Sequence, residues 1–414
     1  MDCRVPLTEY GRLPMDLHWL KPLVGRPAPF TTVFLDATRA EAAGESEAAE
    51  RWRAVRRELE RAGADATVLD EIADLVSVPT GTRGPHGRVV VADAHGVVVD
   101  RVVAEPPARS GATYGPVPDL LPAVRSADES VSLVVVAVDR TGADLVWKGA
   151  GGARSAPTDD EQHLHESVEG GHDDIHKTRE GGLSRRSQTR AEDSWQRNAE
   201  AVAAFLDKRV AERSPELVVL TGDVRAVALV CDALGQQARE LVVEVAGGAR
   251  GEGAKTDAFA GKVREAVDAY RARRRQAVLD RFAEALGRGD GAVTALDDVV
   301  EVLRRGQVAE LVLGEAGLGA LQERELVVGA QPLELGSSQS ELDALGATES
   351  RRYPAIVALV RAALAQDAGV TFAADGAAEL VDGVGALLRW SDGSTPSEQL
   401  LTQSADAHRV RSIP

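Results

Sequence analysis

Apolar residues along this chain fall into two rhythms. Short β-branched and aromatic runs bounded by turn residues predict strands over 30–35, 89–92, 97–103, 131–138, 143–147, 217–220, 240–245, 310–313, 370–373 and 386–390. The longer stretches between them repeat their apolar positions at helical spacing. In one, Ala199, Val202, Ala203, Phe205, Leu206 and Val210 form one face of a helix over 190–213, which Pro215 stops. The same reasoning predicts helices over 45–62, 66–76, 223–234, 257–286, 295–305, 350–367 and 377–381. Ala94, His95 and Gly96 turn a hairpin between two of the strands. Strands alternating with helices predict an α/β fold.

Three stretches break the rhythm. Residues 105–122 carry Pro106, Pro107, Pro116, Pro118 and Pro122 with Gly111 and Gly115, and read as a linker or an irregular surface segment. Residues 149–189 are polar throughout, and residues 247–253 form a glycine-rich hinge. At ~100–200 residues per domain, 414 residues predict two to four domains.

Charge narrows the function classes. The chain has 48 Lys and Arg against 65 Asp and Glu, a formal net charge of −17. A protein that coats DNA needs a basic excess to neutralise phosphates, so that class is excluded. Cys3 and Cys231 are too few for a disulfide framework, and a reducing cytoplasm is the expected compartment. Residues 1–25 are interrupted by charges and read as no signal peptide, and no apolar run reaches the ~18 residues of a membrane helix.

The chemistry concentrates in residues 158–190. Asp159, Asp160, Glu161, Glu166, Glu169, Asp173 and Asp174 come first, and then the sign reverses at Lys177, Arg179, Arg185, Arg186 and Arg190. Gly181 and Gly182 sit at the centre of the basic part, where they free the backbone for close approach. Guanidinium groups around such a tip supply bidentate donors for phosphate, which makes the loop a candidate arm for an RNA-lined cavity. A solvated loop without a partner is the plainer alternative. His163, His165, His172 and His176 lie in the same stretch, and His163 with His165 would share one face of a strand. Such a pair can chelate a divalent ion, yet no cysteine and no His-Glu-x-x-His pattern accompanies it, so hydrogen-bonded or solvated histidines are preferred.

Other candidates are weaker. Residues 247–253 match neither a dinucleotide fingerprint nor a P-loop. Asp36 and Asp139 each end a strand and are read as caps at the edge of the core. Arg271, Arg273, Arg274 and Arg275 are read as a solvated helix face, with RNA phosphates as the alternative. No nucleophile elbow or Cys/His dyad is present.

Residues 165–198 resemble the middle domain of the archaeal and eukaryotic class-1 release factor superfamily, which includes Pelota. There a Gly-Gly-Gln-Ser tip leads into a long helix; here Gly181, Gly182, Leu183 and Ser184 hold the tip. The run Gly383-Val-Gly-Ala-Leu-Leu-Arg-Trp390 is similar to the strand that ends the superfamily's last domain, and residues 292–313 are similar to its helix–strand unit. The likeness covers roughly residues 130–390 and lies near the bacterial ribosome hibernation factor Balon and its actinobacterial relatives. It implies three domains: an N-terminal α/β domain (1–128), an RNase-H-like middle domain (129–252) and an L7Ae-like C-terminal domain (253–414).

The resemblance also implies a role at the ribosome. The first domain would sit near the decoding centre of the 70S ribosome. The loop, with Lys177, Arg179, Gly181, Gly182, Leu183, Ser184, Arg185, Arg186 and Arg190, would reach the rRNA of the peptidyl transferase centre. Elongation factor Tu is the companion it suggests; no cofactor, membrane or DNA is implied. In release factors the tip Gln helps to place water against the peptidyl-tRNA ester. Leu183 has no donor or acceptor to do so. The expectation is therefore a non-hydrolytic occupant of the A site, a hibernation factor. Two alternatives stay open. One is a peptidyl-tRNA hydrolase using Gln188 or a histidine of the cluster, and the other is a Pelota-like rescue adaptor that recruits a GTPase.

Overall fold

The computed structural model describes residues 17–38, 44–80, 82, 85–103, 106–107, 109–148, 165–170, 185–251 and 257–396. The described residues form two compact units, one within 129–273 and one built from residues 17–128 together with 274–396. Both mix sheets with helices, as the α/β expectation requires.

The first segment contributes strand β1 (Phe30–Asp36), helices α1 (Gly44–Ala62) and α2 (Ala66–Ser77), strands β2 (Gly87–Asp93), β3 (Gly96–Val103) and β4 (Gly111–Gly115), and helix α3 (Leu121–Glu129). The strands form an antiparallel sheet in the order β3-β2-β1-β4. Period-two alternation decides what each face covers. Val90 and Ala92 face Trp52, Val55, Leu59, Leu69 and Ile72 of α1 and α2. Val89 and Val91 face a second core shared with residues 293–386. With both faces buried, β2 reads as an unbroken apolar run.

The middle unit holds strands β5 (Leu133–Val138), β6 (Gly142–Lys148) and β7 (His165–Glu169), helix α4 (Arg185–Arg213), strand β8 (Leu217–Gly222), helices α5 (Val224–Ala233) and α6 (Gln236–Leu241), and strand β9 (Val242–Glu244). Helix α7 (Asp257–Arg288) begins in this unit. The sheet order is β7-β6-β5-β8-β9, with β6 antiparallel to β5 and β7, and β8 parallel to β5 and β9. Val134, Val136 and Val138 pack under Val202, Leu206 and Val210 of α4 and Val227 and Val230 of α5. Leu133 and Val135 pack on the other face against Phe259 and Val263 of α7. The result is a helix–sheet–helix sandwich.

The last segment adds β10 (Ala292–Thr294), α8 (Leu296–Arg304), β11 (Val308–Gly314), α9 (Leu318–Glu323), β12 (Glu325–Val328), β13 (Leu335–Gly336), α10 (Gln339–Ala344), β14 (Arg351–Pro354), α11 (Ala355–Ala365), β15 (Gly369–Ala373) and β16 (Val384–Leu388). They make a mixed sheet, β10-β16-β11-β15, and a small antiparallel one, β13-β12-β14. The Gly-x-Gly-Ala text has a packing cause. Gly383 has φ +74° and touches Gly317, where a Cβ would lie 2.6 Å from the Gly317 Cα. A Cβ on Gly385 would lie 2.5 Å from the ring of Phe282, which is fully buried.

Several expectations need correction. Residues 105–122 are not only linker, since β4 lies among them as an edge strand paired with β1. An edge tolerates the nearby prolines, which a central strand does not. The helix expected from residue 350 starts at Ala355, because residues 351–354 pair with β12 as β14. Pro354 disfavours a helical residue before it. The strand expected over 240–245 is only β9, since straight-chain residues 236–241 form α6. Residues 377–381 form no α-helix; they run between the positive-φ positions Gly376 and Asp382. Within the expected polar stretch, residues 165–169 form β7, and α4 starts at Arg185, not near residue 190.

Candidate functional site

The middle unit is built to fix the root of the 171–184 segment. Strand β7 ends at Glu169, and Gly170 donates its N–H to the Thr141 carbonyl at 2.7 Å. Asn198 of α4 donates from Nδ2 to the Arg140 carbonyl at 2.9 Å. Gly170 must be glycine, because the Asn198 side chain fills the space where a Cβ would go. Both flanks of the segment are therefore tied to the turn after β5. Arg185 begins the helix thirteen residues before Asn198, ~20 Å along the axis at ~1.5 Å per residue.

Arg250 gathers the carboxylates at this root. Its guanidinium reaches Glu169 at 2.6 Å, Asp139 at 3.1 Å and Asp144 at 3.2 Å, and donates to the Thr141 hydroxyl at 2.9 Å. Burial works to raise the Asp139 carboxyl. Hydrogen bonds from the Thr141 hydroxyl, from the Thr141 and Gly142 amides and from Arg250 outweigh it and hold the group below the ordinary carboxylate range. Asp144 is likewise pushed up by burial and drawn below that range by Ser167, the Gly251 amide and Arg250. Burial lowers the Arg250 guanidinium, and Glu169, Asp139 and Asp144 more than reverse this. Residues 247–251 are thus pinned to the sheet, with Gly248 also donating to the Thr221 hydroxyl at 3.0 Å, and are not the free hinge their composition predicts. Asp139 caps its turn as expected, accepting from the Thr141 and Gly142 amides at 2.8 and 2.9 Å.

Beside this network, two arginines meet one indole. Arg140 lies 4.3 Å from the centre of the Trp195 ring, and Arg225 lies 5.5 Å from it. Trp195 and Asn198 are three apart on α4 and share a helix face.

The sequence-predicted residues divide as follows. Lys177, Arg179, Gly181, Gly182, Leu183 and Ser184 lie outside the described residues, as do His163, His172 and His176. Arg185, Arg186 and Arg190 fall in the first two turns of α4. His165 opens β7 and is exposed. No group of three or more metal-ligating side chains is found among the described residues. Of the arginine run on α7, Arg273 is exposed as expected, but the other three are not a solvated face. Arg274 bonds the Asp128 carbonyl at 2.6 Å, Arg275 the Asp128 carboxylate at 2.9 Å, and Arg271 the Glu129 carbonyl. They close the C-terminal end of α3, where cations are favoured. Sequence reading missed Trp195, Asn198 and Arg250, which sit far apart along the chain. Glycines at positions 170 and 248 were the one available signal.

Residues 132–288 match the model of bacterial archaeo-eukaryotic release factor family 2. Over this span the chain is similar to that family. The matched span contains the sandwich, the loop root and all of α7. Across 91% of its length the chain is also 28% identical to two Mycobacterium tuberculosis proteins described as uncharacterized, Rv2629 of strain H37Rv and MT2704 of strain CDC 1551, covering 96% of each. Among solved structures it is similar to Saccharomyces cerevisiae Dom34, a translation termination-like factor, at 10% identity and a TM-score of 0.35, covering 75% of this chain and 81% of that one. Archaeoglobus fulgidus Pelota is similar at 14% identity and a TM-score of 0.30, over 74% of this chain and 80% of that one. Among the described residues no helix is long and apolar enough to cross a membrane.

Proposed function

We propose that this protein is a cytoplasmic ribosome-binding factor that occupies a vacant A site and preserves the particle without hydrolysing peptidyl-tRNA. The observation that carries the reading is the release-factor match over residues 132–288, which contain a tip with Leu183 in place of the superfamily's Gln. The clamped root supports it, since an arm that enters a narrow cavity needs a fixed base. In this reading the basic tip contacts rRNA of the peptidyl transferase centre, the first domain lies by the decoding centre, and elongation factor Tu is the companion factor. The acidic body then limits unspecific RNA binding while the loop supplies the local positive charge.

The test is co-sedimentation of the full chain with vacant 70S ribosomes across a salt series, alongside Arg185→Ala/Arg186→Ala. Salt-sensitive binding is expected, with the slope of log K against log[salt] lowered by about 1–2 in the variant, since each lost phosphate contact removes about 0.7–0.9. No binding by the wild type at low salt overturns the reading. A parallel assay on ribosomes loaded with peptidyl-tRNA is expected to show no peptide release above background. Release by the wild type would instead establish a hydrolytic rescue factor.

A further inference from the structure

We propose that Arg140, Trp195 and Arg225 form a second RNA contact at the root of the loop, one that takes a single unpaired nucleotide through its phosphate and its base. The inference rests on the ribosomal reading and adds a site that neither the loop motif nor the family match assigns. Three elements build it: the turn after β5 brings Arg140, α4 brings Trp195 and the first turn of α5 brings Arg225. Two guanidinium groups lie at 4.3 and 5.5 Å from one indole centre. A planar cation on an aromatic face is a surface on which a nucleobase stacks readily.

The surroundings fit that occupant. Ala199 and Leu229 line a shallow, open depression with these three residues. Such a depression encloses no ligand, so a base would lie on this open surface beside the indole and the guanidinium groups and not sink into a pocket. Val224, next to Arg225, is 85% exposed. The acids at the site are already engaged. Asp139 is bound by Arg250, and Asp223 accepts from the Arg225 and Ala226 amides at 3.0 and 3.1 Å, with Arg140 at 3.4 Å. A phosphate arriving here meets the exposed Arg225 and the Arg140 guanidinium, which also pairs with Asp223. The main chain of Arg140 is held by Asn198, so the contact is preorganised on the same support as the loop.

The experiment measures binding of the full chain to vacant 70S ribosomes over a salt series for wild type, Arg140→Gln/Arg225→Gln, Trp195→Ala and Trp195→Phe. The arginine pair variant is expected to bind about 10–30-fold more weakly, with a salt slope lower by about 0.7–1.4 for one or two lost phosphate contacts. Trp195→Ala is expected to lose about 10-fold, and Trp195→Phe to keep most of the affinity because the aromatic face remains. Melting temperatures report folding. Should the pair variant melt early, Arg225→Gln alone carries the test, because Arg225 lies farther from the ring. Wild type that fails to bind removes the ribosomal reading itself. Wild type that binds, with arginine variants of equal affinity and slope, overturns the second contact alone. Weaker binding at an unchanged slope also overturns it and points to a ribosomal protein as the occupant.

Discussion

The side-chain amide of Asn198 donates to the main-chain oxygen of Arg140 at 2.9 Å and joins residues 58 apart in the chain. The same side chain fills the space beside Gly170. One asparagine thus fixes where β7 stops and where α4 passes over it, and these two elements carry the ends of the loop. Gly170→Ala forces a methyl group into that contact. The expected cost is about 1–3 kcal/mol, as for other overpacked sites, read as a lower midpoint in urea unfolding. A midpoint equal to that of wild type would show that the root yields freely.

The legible part of the fold is the part written in local pattern. Val89 to Ala92 and Val131 to Val138 announce strands because both their faces are buried. The spacing of Ala199, Val202, Leu206 and Val210 announces α4 because one helix face meets one sheet. What escaped depends on distant partners. Gly111–Gly115 is a strand only because β1 offers it a free edge, and residues 351–354 are a strand only because β12 does. At the site, the glycine tip could be read from its text. The clamp of Arg250 on Asp139, Asp144 and Glu169 could not, since its partners are 81 to 111 residues away and no local rhythm reports them.

Arg250 makes an acid-dependent contribution to stability. Asp139 and Asp144 both sit below the ordinary carboxylate range in the folded protein. A depressed carboxyl stabilises the fold above its unfolded pKa of about 4, and that stability is lost as the pH falls through the folded value. Arg250→Ala is expected to cost about 1–2 kcal/mol at pH 7, a modest figure because Asp139 and Glu169 are partly open to solvent. The gap between variant and wild type should narrow as both are titrated towards about pH 3. Thermal melts at pH 7, 5 and 3.5 check this, and a gap independent of pH would place the role of Arg250 in packing.

Gly385 tests the motif that marks the last domain. A Cβ there would lie 2.5 Å from the Cζ of Phe282, in a core with Val278, Ala292 and Val312. Gly385→Ala is expected to destabilise by about 1–3 kcal/mol. Pairing it with Phe282→Leu should cost less than the sum of the two single changes, because the smaller side chain leaves room for the methyl group. Urea unfolding of the four proteins in that cycle gives the coupling directly, and simple additivity would mean that the glycine is there for a reason other than the ring.

Glu310 introduces a pH dependence of the opposite sign. It lies on β11, is 3% exposed, and its Oε1 accepts from the Thr371 hydroxyl at 2.6 Å. Burial pushes its carboxyl up to about 7, against the Thr371 bond and the charges of Arg281 and Arg274, while Asp128 adds to the rise. The folded protein therefore keeps a proton that the unfolded chain releases near its ordinary value of 4.5. Stability then falls as the pH rises from about 4.5 to about 7 and is flat above that. Glu310→Gln keeps an oxygen for Thr371 and removes the ionisation. The variant should match wild type near pH 4.5 and exceed it at pH 8 by about 3 kcal/mol. Urea unfolding at the two pH values decides the point. Equal differences at both would mean that Glu310 ionises in the fold as readily as it does in water.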